Sequence, residues 1–280
     1  MNKFPICPIF IPANKLNYVE KAIKAGADGI IFDLEDSVLS NDKAKAREDL
    51  FKYLLSNNPN VIIYIRVNDI NSENGLRDIE ILSELDFTFI IPKFENEENF
   101  KKISKNIKII PLIETPLAIN NLNKIAKNEK VIGLSFGAAD FSSMIGSEMS
   151  WDAMLYARSK IIIECSINNL ISIDSPFMDI LNTDAFENEV RKSKAIGMHS
   201  KAVINPSQIN IIKKYFLPTE EEIIDAMKLI WQRMKIIIEP SSAVPLATII
   251  KNKNVFSNKR VGVIITGGNV DLDRLPWFSF

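Results

Sequence analysis

The chain has 280 residues, of which 46% are hydrophobic and 25% are charged, a composition typical of a soluble protein with a sizeable core. Its net charge of -1 gives no support for a nucleic-acid partner or for binding to a membrane surface. Cys7 and Cys165, the two cysteines, are far apart in sequence and give neither a metal-binding spacing nor a disulfide framework, which fits a reducing compartment. No apolar run approaches the ~20 residues that a membrane-spanning helix needs, and the first residues lack a signal-peptide apolar region, so we expect a cytoplasmic protein with no membrane partner.

Short apolar runs alternate with amphipathic stretches over most of the chain, a pattern that predicts a parallel sheet with crossover helices. The predicted strands are residues 6–11, 29–33, 61–66, 89–91, 108–112, 131–135, 171–173 and 202–204. The predicted helices are residues 16–25, 43–55, 76–85, 97–104, 117–127, 153–168, 185–196 and 206–215. Eight such units favour an α/β fold of the (β/α)₈ TIM-barrel class. A doubly wound open sheet is the alternative, and it is weaker because no glycine-rich phosphate turn follows the first strand.

Polar residues recur directly after the predicted strands. Glu35 and Asp36 follow the second strand, Arg66 ends the third, and Glu114 and Asp140 follow the fifth and sixth. The carboxyl ends of barrel strands share one rim, and that rim holds the active site in barrel enzymes. We therefore expect these side chains to converge at one site.

Glu114 and Asp140 are the candidate metal ligands, because they would top adjacent strands. Two carboxylates without a nearby histidine or cysteine suit Mg²⁺, and they leave positions for water and a chelating α-oxo acid. The alternative is that each carboxylate caps the following helix or pairs with a basic residue.

Arg66 is a candidate anion clamp, since a guanidinium can grip a carboxylate or a thioester oxygen with two hydrogen bonds. A salt bridge at the rim is the alternative. Asp33 is expected to face into the barrel, whereas Glu35 or Asp36 is expected to hold a metal-bound water or to accept a proton, and the pattern does not separate these roles. His199, the only histidine, precedes a strand on the opposite side, which argues against a Ser-His-Asp triad and a histidine-ligated metal.

These residues lie in stretches that resemble the HpcH/HpaI aldolase and citrate lyase β-subunit family, which includes malyl-CoA, citramalyl-CoA and citryl lyases. The resemblance covers about residues 4–217, and the matching stretches follow the family order. They are IPAN (11–14), GAD (26–28), DLEDSV (33–38), KAKAR (43–47), RVN (66–68), PK (92–93), LIET (112–115), FGAAD (136–140), YARS (156–159) and KAVINPSQ (201–208).

The resemblance implies a lyase that uses Mg²⁺, an α-oxo acid and an acyl-CoA, assembled as a homotrimer or hexamer. It implies that Glu114 and Asp140 bind the metal. It also implies catalytic roles for Arg66, Glu35 and Asp36, and substrate contacts for Arg66, Lys15 and Ala139. Lys15 and Asn205 depart from the family pattern, since many members carry arginine and histidine there, and lysine lacks the fork of a guanidinium.

The last sixty or so residues depart from the barrel pattern. They predict a helix over residues 225–235, a second helix ending near residue 251, and a strand over residues 261–265. From about residue 231 this segment resembles the C-terminal end of fold-type II pyridoxal-phosphate enzymes, through EPSSA (239–243) and TGGNVD (266–271). The Schiff-base lysine motif and the phosphate loop of those enzymes are missing.

The predicted organisation is therefore a barrel domain over residues 1–217 and an atypical α/β extension over residues 218–280, in place of the family's usual lid. The favoured function is a Mg²⁺-dependent carbon–carbon lyase acting on a 3-hydroxyacyl-CoA. An inactive or altered barrel that binds metal and oxo acid is the alternative, and a pyridoxal-phosphate dehydratase or racemase is a remote one.

Overall fold

The computed structural model describes residues 4–103, 107–275 and 277, without the side chains of residues 254 and 255. The chain divides into two compact units, the first ending at Lys213 and the second beginning at Lys214. In the part of the chain that the structure describes, no helix is both long and apolar enough to cross a membrane.

The first unit is built around eight parallel strands, each hydrogen-bonded to the next in chain order. They are β1 (Pro8–Pro12), β2 (Gly29–Asp33), β3 (Ile62–Arg66), β4 (Thr88–Ile91), β5 (Lys108–Ile113), β6 (Gly133–Phe136), β7 (Ile171–Asp174) and β8 (Ser200–Lys201).

Contacts between the first strand and the residues after β8 close the sheet. Val203 bridges to Ile9, and its N–H donates to the Pro8 carbonyl at 3.0 Å. The Val203 carbonyl in turn accepts from the Phe10 N–H at 2.9 Å. The first unit is therefore a (β/α)₈ TIM barrel. The predicted barrel is confirmed, and the open-sheet alternative is wrong.

Helices and short 3₁₀ turns connect the strands. The α-helices of the first unit are α1 (Val19–Lys24), α2 (Lys43–Ser56), α3 (Glu73–Leu82), α4 (Pro116–Asn120), α5 (Leu122–Ile125), α6 (Ala138–Ile145), α7 (Trp151–Asn168), α8 (Thr183–Ile196) and α9 (Ile209–Phe216, which runs past Lys213). The 3₁₀ helices of this part are Leu16–Tyr18, Ser40–Asp42, Glu97–Lys102 and Pro206–Gln208.

Several predicted boundaries differ from the structure. The helix expected over residues 97–104 is a 3₁₀ helix ending at Lys102, and residue 104 lies outside the described residues. The helix expected over residues 117–127 is divided at Asn121, and α6 was not expected at all. The last strand was expected over residues 202–204 because that run is apolar. It is instead the polar pair Ser200 and Lys201 that pairs with β7, and Val203 forms only an isolated bridge.

The second unit consists of helices in its described residues: α10 (Glu220–Met234), α11 (Pro240–Lys251), α12 (Lys253–Phe256) and a 3₁₀ helix (Leu272–Arg274). Its core packs Ala226, Met227 and Ile230 of α10 against Ile238 and Ala243. The strand expected over residues 261–265 is wrong, since this stretch is irregular. A lone strand leaves its backbone groups without ladder partners, and no described strand of this unit lies beside it. The expected α/β extension is therefore helical.

Removing residues 218–280 tests the division into two units. We expect the truncated chain to keep one cooperative unfolding transition, because the barrel has its own core and closes its sheet with residues before Lys213. Urea unfolding followed by circular dichroism would check this. Loss of the cooperative transition would show that the barrel needs the second unit in order to fold.

Strand alternation sets which side chains reach the inside of the barrel. Ile31, Tyr64 and Leu112 point into a common interior cluster. Since side chains alternate along a strand, residues two positions further on face the same way. Asp33, Arg66 and Glu114 are those residues, and they form a polar layer at the carboxyl-end rim.

Strand side chains of the opposite parity point away from the barrel interior, and two of them take part in a buried ion cluster. Asp174 follows the inward-facing Ile173 and is fully buried. Its Oδ1 accepts from Arg158 Nε at 2.8 Å, and its Oδ2 accepts from Lys201 Nζ at 2.9 Å. Lys201 Nζ also donates to Glu189 Oε1 at 2.8 Å. These bonds tie α7 and α8 to the last two strands.

Acid should weaken the fold through this cluster. Burial alone would raise the pKa of Asp174, but the charges of Lys201 and Arg158 outweigh it and lower the pKa to about 2. An unfolded aspartate titrates near pH 3.9, so this stabilisation is complete above about pH 4 and is lost as pH falls toward about 2. We expect the free energy of unfolding in urea to fall steeply between these limits. A flat profile across that window would contradict the assignment.

Candidate active site

Arg66 lies at the centre of the rim, held by an aspartate of the neighbouring strand. Its Nε donates to Asp33 Oδ1 at 2.6 Å and its Nη2 donates to Asp33 Oδ2 at 2.8 Å. The Phe10 ring lies 5.0 Å from the guanidinium carbon. Asp33 and Phe10 therefore fix the guanidinium plane, and Asp33 occupies the edge (Nε and Nη2) that can form a bidentate contact.

The remaining guanidinium nitrogen, Nη1, faces Glu35 and Asp36. It lies 3.0 Å from Glu35 Oε2 and 3.2 Å from Asp36 Oδ2. The Glu35 side chain is only 11% exposed, whereas that of Asp36 is 71% exposed. The structure thus separates three acids that the pattern left together: Asp33 orients Arg66, Glu35 lies inside the site and Asp36 lies at its mouth.

Burial perturbs Glu35. It raises the pKa of Glu35 to about 7, the charge of Arg66 works against this rise, and Asp36 and Asp33 add to it. A carboxyl group that titrates near neutrality can both accept and return a proton at working pH.

Glu114 lies across the rim from these residues and is nearly fully buried. Its Oε1 accepts from the Lys93 backbone N–H at 2.7 Å. Burial is the main cause that raises the pKa of Glu114 to about 8, and the charges of Glu35 and Asp140 raise it further. Asp140 itself is exposed in the first turn of α6. The predicted pair therefore comes together, with Glu114 on the strand end and Asp140 on the following helix.

Gly137 explains how Glu114 fits beside α6. A β-carbon built at this position would lie 2.6 Å from Glu114 Cβ and 2.7 Å from Glu114 Oε2. Its φ of -104° is open to any residue, so the glycine is required by this close approach and not by backbone conformation.

Replacing Gly137 with alanine should displace the Glu114 carboxylate. We expect the affinity for Mg²⁺ to fall about 10-fold or more, as is usual when the support of a metal ligand is disturbed. Calorimetric titration with MgCl₂ measures this loss. Gly262→Ala is the matched control, because its added β-carbon meets nothing within 4 Å. Equal affinities for the two variants would contradict the role given to Gly137.

The donor set at the rim fits a hard divalent cation. Five carboxylates lie at this rim: Asp33, Glu35, Asp36, Glu114 and Asp140. Burial is the largest cause that raises the pKa of Glu114 and of Glu35, and neighbouring carboxylates add a contribution that a cation would offset. All of these donors are oxygens, the ligands that Mg²⁺ prefers. Among the described residues no group of three or more acids, histidines or cysteines is arranged to hold a metal, so a metal here would rest on the Glu114 and Asp140 pair.

The other predicted contacts lie around the same rim. Lys15 follows β1 and is exposed, and Ala139 is exposed in the first turn of α6. Asn205 caps the 3₁₀ helix after β8, accepting from the Ser207 N–H at 3.0 Å. His199 lies at the amino end of the strands, where its Nδ1 is 2.8 Å from the Ser172 hydroxyl.

Sequence reasoning gave no role to Lys43, which anchors the loop that carries Glu35. Its Nζ donates to the carbonyls of Leu34 and Glu35, at 3.3 and 2.9 Å, and to the Asn68 side chain. Asn68 donates in turn to the buried Asp78, which is paired with Arg47. The KAKAR stretch carried a signal, because residues four apart share one helix face, but the loop contact is not visible in the sequence.

Comparison with known proteins finds relatives that are named as lyases. The citrate lyase subunit beta of Escherichia coli is 27% identical over 79% of this chain and 80% of its own length. The mitochondrial citramalyl-CoA lyase of Rattus norvegicus is 27% identical over 79% of this chain and 74% of its own length. A solved structure of the citrate lyase beta subunit from M. tuberculosis, complexed with oxaloacetate and magnesium, has a TM-score of 0.68 and 27% identity over 75% of this chain and 96% of that one.

A shorter and closer match is to beta-hydroxyaspartate dehydratase of Paracoccus denitrificans, at 62% identity over 68 residues. It covers 24% of this chain, which spans only 22% of that relative. The family model for HpcH/HpaI aldolase/citrate lyase matches residues 7–206. Because that match takes in well over half of the residues, this chain belongs to the HpcH/HpaI aldolase/citrate lyase family.

Proposed function

We propose that this chain is a Mg²⁺-dependent carbon–carbon lyase that cleaves a 3-hydroxyacyl-CoA of the malyl, citramalyl or citryl type into an acyl-CoA and an α-oxo acid. The observation that carries the proposal is the convergence of Glu35 and Arg66 with the Glu114 and Asp140 pair at one rim. The lyase names of the relatives, and magnesium and oxaloacetate in the solved M. tuberculosis structure, support it.

Glu114 and Asp140 are the residues that would hold the metal. Glu114 presents Oε2, since its Oε1 accepts from Lys93, and Asp140 is exposed to the rim. Mg²⁺ held there would supply Lewis-acid polarisation and would orient a chelating oxo acid.

Glu35 is the proposed base. It takes the proton of the substrate 3-hydroxyl, and the oxygen's electron pair forms the carbonyl of the oxo acid. The bond between the second and third carbons breaks, and its electrons move into the acyl group as an enolate. A proton returned to that carbon completes the acyl-CoA. A pKa near 7 suits Glu35 to this exchange at neutral pH.

Arg66 is the proposed stabiliser of the enolate charge. Because Asp33 holds its Nε and Nη2, the nitrogen left for substrate is Nη1. The exposed Asp36 is the weaker of its two partners there, at 3.2 Å, and a thioester oxygen would take its place. Lys15 and Ala139 are proposed to contact substrate, and a homotrimer or hexamer is the proposed assembly.

Isothermal titration of the purified protein with pyruvate and glyoxylate, with and without Mg²⁺ and then with acetyl-CoA, tests the proposal. We expect oxo-acid binding that requires Mg²⁺ and that acetyl-CoA strengthens. Oxo-acid binding without any effect of acetyl-CoA would indicate an aldolase that does not use CoA. Absence of all binding would favour an inactive barrel, the reading supported by the departures at Lys15 and Asn205.

A further inference from the structure

Lys93 has an unusual backbone for its residue type. Its φ is 50°, in the left-handed region that residues with a β-carbon adopt only at a cost in free energy. Asn169 and Lys235 share this feature as C-caps of helices, where the conformation is ordinary, and Asn258 shares it in a turn. Lys93 instead follows β4 at the active-site rim. Residues held in such strained backbone conformations cluster at functional sites.

The surrounding loop holds Lys93 in this conformation. Pro92 before it and Phe94 after it are buried. Phe94 packs edge-on against Phe100 at 4.7 Å, and the Asn99 side chain accepts from the N–H of Glu95 at 3.0 Å. The result is a backbone N–H aimed at Glu114 Oε1, 2.7 Å away.

The backbone contact does not explain why the residue is lysine. Glycine would adopt the same φ without a steric cost and would keep the same N–H. The side chain therefore needs its own explanation. It is exposed, and in the part of the chain that the structure describes its ammonium forms no hydrogen bond or ion pair.

The surroundings of that ammonium are acidic. The positive charge of Lys93 is one of those that lower the pKa of the Glu35 carboxyl. The neighbouring cations Arg66 and Lys43 are held by carboxylates and by backbone carbonyls respectively. Lys93 thus presents an unengaged positive charge at this rim, on the residue whose backbone N–H donates to Glu114.

We propose that Lys93 is a substrate-binding residue whose ammonium pairs with the carboxylate of the α-oxo acid, while its left-handed backbone orients Glu114. The inference rests on the proposed lyase function, because it assumes that an oxo acid binds beside Glu114 and Asp140. A carboxylate is the fitting partner, since a lysine gives a strong point-charge contact to an oxyanion.

Titration of pyruvate in the presence of Mg²⁺ tests the inference on the full chain. Lys93→Gly removes the side chain and keeps both the φ and the N–H, and Lys93→Met keeps most of the length without the charge. We expect both variants to raise the pyruvate Kd about 10- to 100-fold, the size of one charge-assisted hydrogen bond. The Mg²⁺ and acetyl-CoA affinities should stay within about twofold, and Lys93→Arg should recover most of the pyruvate affinity.

Lys127→Met, an exposed lysine before β6 at the opposite end of the barrel, is the matched control. Pyruvate binding that is unchanged in Lys93→Gly and Lys93→Met would overturn the inference alone. A loss confined to acetyl-CoA binding would also overturn it, since the ammonium would then serve the thioester. Failure of the wild-type protein to bind pyruvate, glyoxylate and oxaloacetate alike in the presence of Mg²⁺ would overturn the proposed function and this inference with it.

Discussion

Glu114→Gln is expected to abolish Mg²⁺-dependent turnover while making the metal-free barrel more stable. Glutamine keeps the shape and the acceptor oxygen for the Lys93 N–H but removes the charge that we propose to hold the metal. Loss of the metal's Lewis-acid contribution, several kcal/mol, corresponds to a fall in kcat of at least about 1000-fold.

Stability should move in the other direction. Burial and the charges of Glu35 and Asp140 raise the pKa of Glu114 to about 8, so the ionised group is unfavourable in the folded protein. Removing the charge should raise the thermal midpoint by a few degrees, as about 1 kcal/mol does in a protein of this size. Functional sites commonly trade stability for activity in this way.

Turnover and thermal unfolding, measured on the same preparations, check both halves of this prediction. Asp140→Asn should lose activity in the same way, with little gain in stability because Asp140 is exposed. Glu129→Gln, an exposed glutamate before β6, is the control and should change neither quantity. Near-full turnover of Glu114→Gln in the presence of EDTA would refute the metal assignment.

Among the substitutions proposed for this chain, Asp174→Asn is expected to cause the largest loss of stability, about 3–5 kcal/mol in the free energy of unfolding. The amide has one acceptor oxygen where the carboxylate has two, so it can keep only one of the hydrogen bonds from Arg158 and Lys201. The two cations then remain buried without their shared counter-charge. Arg158 already has one buried nitrogen, Nη1, without a hydrogen-bond partner in the described structure. Glu189 is the acid left near both cations, at 2.8 Å from Lys201 and 3.6 Å from Arg158.

Urea unfolding at pH 7 measures the effect. Asp86→Asn, at an exposed aspartate before β4, is the matched control and should change stability by less than about 0.5 kcal/mol. A similarly small change in Asp174→Asn would mean that the cluster contributes little to the fold. If Asp174→Asn does not fold, Glu189→Gln offers a milder test on the same cluster.

The barrel and its polar rim could be predicted because both depend on local pattern. Apolar runs separated by amphipathic stretches predict strand–helix units, and the residues that end each strand then fall on one rim. Glu114 and Arg66 follow this rule directly. Asp140 meets Glu114 by a different route, since it lies on a helix that the sequence did not predict.

The errors came from contacts between distant segments. The last strand was misplaced because Lys201 is polar, yet it is fully buried by its pairing with Asp174. The strand over residues 261–265 was wrong because its apolar residues gain no ladder partner. The φ of Lys93 and the loop contacts of Lys43 depend on folded surroundings and leave no periodic signal.

The origin of the second unit stays a prediction. Its span from Lys214 to residue 280 is close in length to the 68-residue match with beta-hydroxyaspartate dehydratase, and it lies beyond the residues that the family model covers. We propose that the match falls on this unit. The remote alternative, a pyridoxal-phosphate dehydratase or racemase, would be tested by an absorbance scan for an internal aldimine.

A cleavage assay with malyl-CoA, citramalyl-CoA and citryl-CoA, with products identified by mass spectrometry, tests the proposed lyase function most directly. We expect Mg²⁺-dependent release of acetyl-CoA with glyoxylate, pyruvate or oxaloacetate from at least one of these thioesters. We also expect Glu35→Gln to lose this activity and Glu129→Gln to keep it. If protein that binds Mg²⁺ cleaved none of the three thioesters, or if Glu35→Gln cleaved them as well as the wild type, the proposed function would be wrong.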